Sequence, residues 1–103
     1  MIESYDAYLI KPLGGIIPAQ ILNDRNCWKG VLNCRAPRMV SVLSGLALIV
    51  DDEGADVRKA TNFRLPPETI YGDCLLVAVD SDGDLIDLTP EQALFGLNAI
   101  LHR

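Results

Sequence analysis

Asp80, Asp82 and Asp84, three carboxylates within five residues, form the densest grouping in the chain of side chains able to do chemistry. They stand at positions 1, 3 and 5 of a twelve-residue calcium-loop frame in which Ile86 would offer a carbonyl at position 7 and Glu91 a carboxylate at position 12. The frame breaks at three points. Position 6 is Leu85 where the sharp turn needs Gly, position 8 is Asp87 where an apolar residue normally packs, and the approach to Asp80 reads as a strand where a helix is required. Glu91 also fits the first turn of a helix. The three aspartates are therefore expected to form a hydrated turn with no resident metal, and no cofactor is expected.

Asp51-Asp52-Glu53 make a second acidic turn. Paired carboxylates do acid-base work when burial raises the pKa of one of them, and acids crowded into a turn are normally hydrated. Nucleophilic catalysis finds no support: the single histidine, His102, stands one residue from the carboxyl end of the sequence. Cys27, Cys34 and Cys74 are odd in number and lack the Cys-x-x-Cys spacing of zinc or redox sites, so they are expected to be buried, reduced thiols. Gly14-Gly15 precedes a strand rather than a helix, which makes it a hairpin turn and no phosphate cradle. No catalytic residue is assigned, and the protein is expected not to be an enzyme.

Binding is the remaining chemistry. The acids Asp51, Asp52, Glu53, Asp80, Asp82 and Asp84, together with Phe95 on the last helix, are the expected partner-binding residues. An alternative site would take a small ligand or nucleotide, using Trp28 with Arg25, Lys29 and Tyr71 and the loop from Ala55 to Gly72. Arg35 and Arg38 complete the basic cluster around Trp28, whose alignment with Val31 and Leu32 also suits a core position. A cation-rich patch with an aromatic can stack on a base, but on an acidic chain a solvated helix face accounts for it as well.

The 103 residues suffice for one domain with its own core, and half of them are hydrophobic, which excludes disorder. No apolar run approaches the roughly 20 residues that span a bilayer, and the opening Met1-Ile-Glu-Ser-Tyr-Asp6 is acidic where a signal peptide is basic. A cytoplasmic protein without membrane contact is expected. The net charge of −5 is unevenly spread: residues 1–50 carry five basic and three acidic side chains, residues 51–103 four and eleven. Such a bipolar chain can pair head to tail as a homo-oligomer or offer acid to a basic partner. Nucleic acid is not an expected partner, since phosphate affinity needs clustered cations.

Two stretches must position these turns. Leu46-Ala-Leu-Ile-Val50 runs unbroken into its acidic turn, and Leu75-Leu-Val-Ala-Val79 repeats the pattern 29 positions later. Both read as central strands covered on both faces. If they run parallel, the acidic turns share one end of the sheet; if antiparallel, they lie at opposite ends. Ala7–Ile10 and Ile16–Leu22 predict a hairpin whose second strand is an edge, with room for a bulge, because Pro18 lacks the N–H of a central strand. Asn23 and Asp24 can cap a short helix from Arg25 that ends by Ala36, ahead of Pro37. Arg38–Leu43 alternates as a strand, with Val40 and Val42 on one face and Met39, Ser41 and Leu43 on the other, and Ser44-Gly45 turns it into Leu46. Ala60–Leu65 carries a faint strand signal, and Pro66–Gly72 reads as an ordered loop. Thr89-Pro-Glu-Gln92 is a capping box opening a helix to the chain end, with Ala93, Leu94, Leu97, Ile100 and Leu101 as its sheet-facing stripe and Phe95 pointing away.

In this order the elements resemble the family known as domain of unknown function 3846, small proteins of phages and mobile elements. The matching residues are Ala7–Ile10 with Pro12, the strand ending in Asp51-Asp-Glu-Gly54, and Gly72 before the strand that leads to Asp82-Gly83-Asp84. The polar insert after Gly54 and the long capped last helix depart from the family pattern. The resemblance implies an accessory protein that binds a host protein, and it implies no catalytic residues.

The expected fold is a single α+β domain over residues 1–103, in the order ββαββ(β)βα. It has a small, mainly antiparallel sheet of five or six strands, one short helix, and a C-terminal helix packed on one face.

Overall fold

The computed structural model describes residues 3–65 and 68–101. The chain folds as the expected α+β domain around a six-stranded antiparallel sheet. Its main path runs β2 (Ile16–Leu22), β1 (Ser4–Ile10), β7 (Cys74–Val79), β4 (Leu46–Asp51), β3 (Pro37–Leu43). A two-residue strand β8 (Leu85–Ile86) pairs with the end of β7 through Ala78 and Val79. Two residues are too few for periodicity to show, and β8 is absent from the sequence-based order.

β4 and β7 are the middle of the sheet because every residue from Leu46 to Val50 and from Cys74 to Ala78 is buried. Unbroken apolar runs suit strands covered on both sides, and each such Leu, Ile or Val contributes about 1.5–3 kcal/mol of transfer free energy. Odd and even positions serve different cores. Ala47, Ile49, Leu75 and Val77 face Trp28 and Leu32 of α1 (Arg25–Leu32). Leu46, Leu48, Val50, Leu76 and Ala78 face Ala93 and Ile100 of α2 (Pro90–Leu101). Ile70 and Phe63 join this second core from the hairpin of β5 (Thr61–Leu65) and β6 (Glu68–Tyr71).

That hairpin replaces the loop expected over Pro66–Gly72. Glu68–Tyr71 pairs with β5 and buries Ile70, while Pro66 and Pro67 lie outside the described residues. β2 is the predicted edge strand, and its register with β1 runs unshifted through the Tyr8↔Pro18 pair, so no bulge accommodates the proline. The bulge lies in β3, where the register with β4 shifts between Ser41 and Leu43. One extra residue turns Leu43 onto the α2 side with Val40 and Val42, away from the Met39 face where strict alternation places it.

The caps form as their residue types dictate. Asp24 accepts a hydrogen bond from the Asn26 amide at 2.9 Å to open α1, and Asn33 closes it in the left-handed conformation, φ 50°. At α2 the Gln92 amide donates to Thr89 Oγ1 at 3.1 Å while the Thr89 amide donates to Gln92 Oε1 at 3.0 Å, a reciprocal capping box. The sheet-facing stripe of α2 differs from the expected one. Ala93, Gly96, Leu97 and Ile100 face the sheet, and Leu94 is 64% exposed. Gly96 turns the helix this way: a Cβ there would stand 3.2 Å from Leu46 Cδ1 and 3.3 Å from Leu76 Cδ2, so its bare backbone allows the close approach. The side chain of Leu101, and His102 and Arg103, lie outside the described residues.

Candidate functional site

The pairing of β4 with β7 is antiparallel, with Leu46 opposite Ala78 and Ile49 opposite Leu75. The two acidic turns therefore leave opposite ends of the sheet and make no joint surface. Their chemical states also differ.

At the end where β4 finishes, each of the three acids Asp51, Asp52 and Glu53 has a cation. Lys59 Nζ stands 2.8 Å from Asp51 Oδ2, Arg38 Nε 2.6 Å from Asp52 Oδ1, and Arg35 Nη2 3.3 Å from Glu53 Oε2. Arg38 also pairs with Glu68 of β6, tying β3 to the hairpin. The basic cluster seen in the sequence thus serves the first acidic turn: the ladder that sets Pro37 opposite Asp51 carries Arg35 and Arg38 to the acids. A cavity of about 210 Å³ opens beside Arg38, lined by Asp52, Glu68, Thr69 and Tyr71, and its charges are already matched.

At the other end the acids accumulate. Asp80 closes the turn itself, its Oδ1 accepting from the amides of Asp82 at 2.9 Å and Asp84 at 3.0 Å. Asn23 Nδ2 reaches Asp84 Oδ1 at 3.4 Å from the β2–α1 junction, and the Asp6 amide donates to Asp87 Oδ1 at 2.9 Å. The Tyr5 hydroxyl donates to Glu3 Oε2 at 2.9 Å. Its pKa is raised, first by that hydrogen bond, then by burial and by the charges of Glu3, Asp87 and Asp84. Together with Asp24 at the start of α1, these residues make an acidic pole of Glu3, Asp6, Asp24, Asp80, Asp82, Asp84 and Asp87. Among the described residues none of the seven makes a salt bridge. Arg25, the first residue of α1, shares this end. Sequence reasoning found Asp80, Asp82 and Asp84 and missed the other four. The signal available was the antiparallel hairpin, which returns the start of β1 and the end of β2 to the end where β7 finishes.

The calcium frame dissolves for the same structural reasons. Ile86, whose carbonyl would be the seventh ligand, sits opposite Ala78 in the β7–β8 ladder, and Glu91 belongs to the first turn of α2. Among the described residues no group of three or more His, Cys, Asp or Glu is arranged to hold a metal.

The residues of the alternative ligand site are not brought together. Trp28 is 8% exposed in the α1-side core, its Nε1 donating to the Leu22 carbonyl at 2.8 Å. Tyr71 lies on β6, whose hairpin covers the α2 side. Arg25 is exposed and Lys29 half-buried on α1. Of the cysteines, Cys74 is fully buried, and desolvation with Asp73 nearby pushes its thiol up to about 12. Cys34 is half-buried and also raised, chiefly by desolvation and then by the charge of Asp51. Cys27 accepts from the Leu22 amide at 3.4 Å. Phe95 projects to solvent as expected, 67% exposed beside Leu94.

Fold and site together define a small α+β domain with one acidic end, one charge-matched end and an exposed apolar pair on its C-terminal helix. Compared with known proteins, the chain matches no family model, no curated protein sequence and no solved structure. Among the described residues no helix is long and apolar enough to cross a membrane.

Proposed function

We propose that this protein is a non-enzymatic binding protein whose acidic pole engages a basic surface on a protein partner. The observation that carries the reading is the contrast between the two ends: Asp51, Asp52 and Glu53 are neutralised within the chain, while the seven acids of the pole make no salt bridge among the described residues. Uncompensated charge of one sign raises the rate of encounter with an oppositely charged partner and selects against others. Leu94 and Phe95 supply the apolar contact that charge alone lacks. The resemblance to domain of unknown function 3846 suggests the setting, an accessory protein of a phage or mobile element working on a host protein in the host cytoplasm.

The test is capture of partners from a bacterial lysate at low and at high salt, by the wild type and by the Asp80→Asn, Asp82→Asn, Asp84→Asn triple variant. A basic protein retained at low salt, released at high salt and lost from the variant supports the reading. Equal retention by the variant overturns it. So does a thermal shift with nucleotides in the absence of any protein partner, which would return attention to the 55–72 segment.

A further inference from the structure

We propose that two copies of the chain join edge to edge through β3, antiparallel about Val40, so that the sheet continues across both. This rests on the backbone of the sheet and is independent of the acidic pole. An antiparallel ladder turns the N–H and C=O of alternate residues inward and outward, and two flanking hydrogen bonds fix which are which. The Asp52 amide donates to the Ala36 carbonyl at 2.9 Å, and the Val79 amide to the Gly45 carbonyl at 3.0 Å. Arg38 and Val40 of β3 therefore point their backbone groups at β4, while Pro37, Met39 and Ser41 point theirs away from the sheet.

The two edges are not equivalent. On β2 the outward positions are Ile16, Pro18, Gln20 and Leu22. Pro18 has no hydrogen to offer, and Leu22 is taken on both sides, its amide by Cys27 Sγ and its carbonyl by Trp28 Nε1. No two consecutive outward positions on β2 keep a free donor, which is how proteins blunt an edge. On β3, Met39 and Ser41 are consecutive outward positions, and among the described residues no hydrogen bond occupies the outward side of either. Pro37 bounds this stretch on one side and the bulge before Leu43 on the other.

That bounded stretch is its own complement. A second β3 running antiparallel sets Met39 opposite Ser41 and Ser41 opposite Met39, each pair exchanging two N–H···O bonds, with Val40 facing Val40 across the two-fold axis at the close, non-hydrogen-bonded spacing. Shifting the register puts Pro37 or the bulge into the pairing and loses donors, so one register is favoured.

The measurement is sedimentation equilibrium of the wild type between about 10 μM and about 1 mM, since so small an interface implies a Kd on the order of 100 μM. The mass is expected to rise with concentration from 11.3 kDa toward twice that value. Ser41→Pro removes one outward donor and leaves the β3–β4 ladder intact; it should weaken dimerisation at least tenfold with an unchanged circular dichroism spectrum. Should that variant not fold, amide hydrogen exchange of the wild type decides: the Met39 and Ser41 amides should be protected at about 1 mM and exchange as open amides do at about 10 μM. A wild type that stays monomeric at about 1 mM, a Ser41→Pro variant that dimerises as tightly as the wild type, or Met39 and Ser41 amides whose exchange is independent of concentration would overturn the proposal.

Discussion

Among the described residues, Lys59 and Asp51 form the one ion pair in which a carboxylate is withdrawn from solvent: Nζ lies 2.8 Å from Oδ2, and the Asp51 side chain is 2% exposed. The same ammonium donates to the carbonyls of Leu32 at 3.0 Å and Asn33 at 2.9 Å, which the end of α1 leaves without helical partners. The other Asp51 oxygen accepts from the Glu53 amide at 2.9 Å. One lysine thus joins the end of α1, the end of β4 and the approach to β5, and its stem packs against Gly72, where a Cβ would come within 2.6 Å of Lys59 Cδ. All three ammonium protons have acceptors, so this lysine is structural.

Removing one partner from such a pair leaves a buried charge without compensation, which typically costs about 3–5 kcal/mol. Lys59→Met is expected to lose about 3 kcal/mol, and Asp51→Asn somewhat less, since the amide still bonds. Urea denaturation of both single variants and the double variant checks this. The double variant should be less destabilised than the sum of the singles; a strictly additive result would show that the pair has no coupling energy.

The box at Thr89 and Gln92 gives a smaller, local prediction. Thr89→Ala removes the acceptor of the Gln92 amide and should cost about 1 kcal/mol, with Thr89→Asn retaining most of it. The midpoint of chemical unfolding is the readout, at unchanged slope.

The parts of this fold that could be read in the sequence are those set by local pattern. The apolar runs of β4 and β7, the capping box of α2, the proline-marked edge at β2 and the glycine turn at Gly45 each carry their reason in adjacent residues. What could not be read depends on distant approach. The wheel of α2 assigns Leu94 to the sheet because it counts apolar residues, and it has no means of seeing that Gly96 is the residue Leu46 and Leu76 can accept. The unequal charge of the two halves of the chain also failed to map onto the two ends of the molecule. Antiparallel hairpins carry Arg35 and Arg38 to the first acidic turn and gather Glu3, Asp6 and Asp24 at the second. Lys59, the residue that organises the charge-matched end, had no signal beyond its place in a polar segment.

Gly96 makes that approach testable. Gly96→Ala adds a methyl group at 3.2 Å from Leu46 Cδ1, tighter than ordinary contact, and gains about 1 kcal/mol of helix propensity, so the net change should be small. Gly96→Leu forces α2 off the sheet and should cost about 2–3 kcal/mol. A melting temperature for Gly96→Leu equal to that of the wild type would mean that α2 does not pack here.

Cys74 sets a pH dependence whose sign can be worked out. Burial in the sheet raises its thiol from 9.0 to about 12 in the folded protein, while the unfolded chain ionises it near the ordinary value. Between those values the unfolded state binds fewer protons than the folded state, so unfolding becomes easier as pH rises. The stabilisation is complete below about pH 9 and is lost progressively toward pH 12, at a slope of up to about 1.4 kcal/mol per pH unit. Tyr5 and Cys34, also raised, act in the same direction in wild type and variant alike. Subtracting the stability of Cys74→Ala from that of the wild type at each pH isolates the thiol: the difference should be constant from pH 7 to 8.5 and shrink above pH 9. In the same range the native thiol should resist alkylation until the sheet opens, because the reactive species is the thiolate and the folded protein withholds it. A difference that stays flat to pH 11, or alkylation of Cys74 in the native protein at pH 8 as fast as in urea, would show that the strand carrying it opens to solvent on its own.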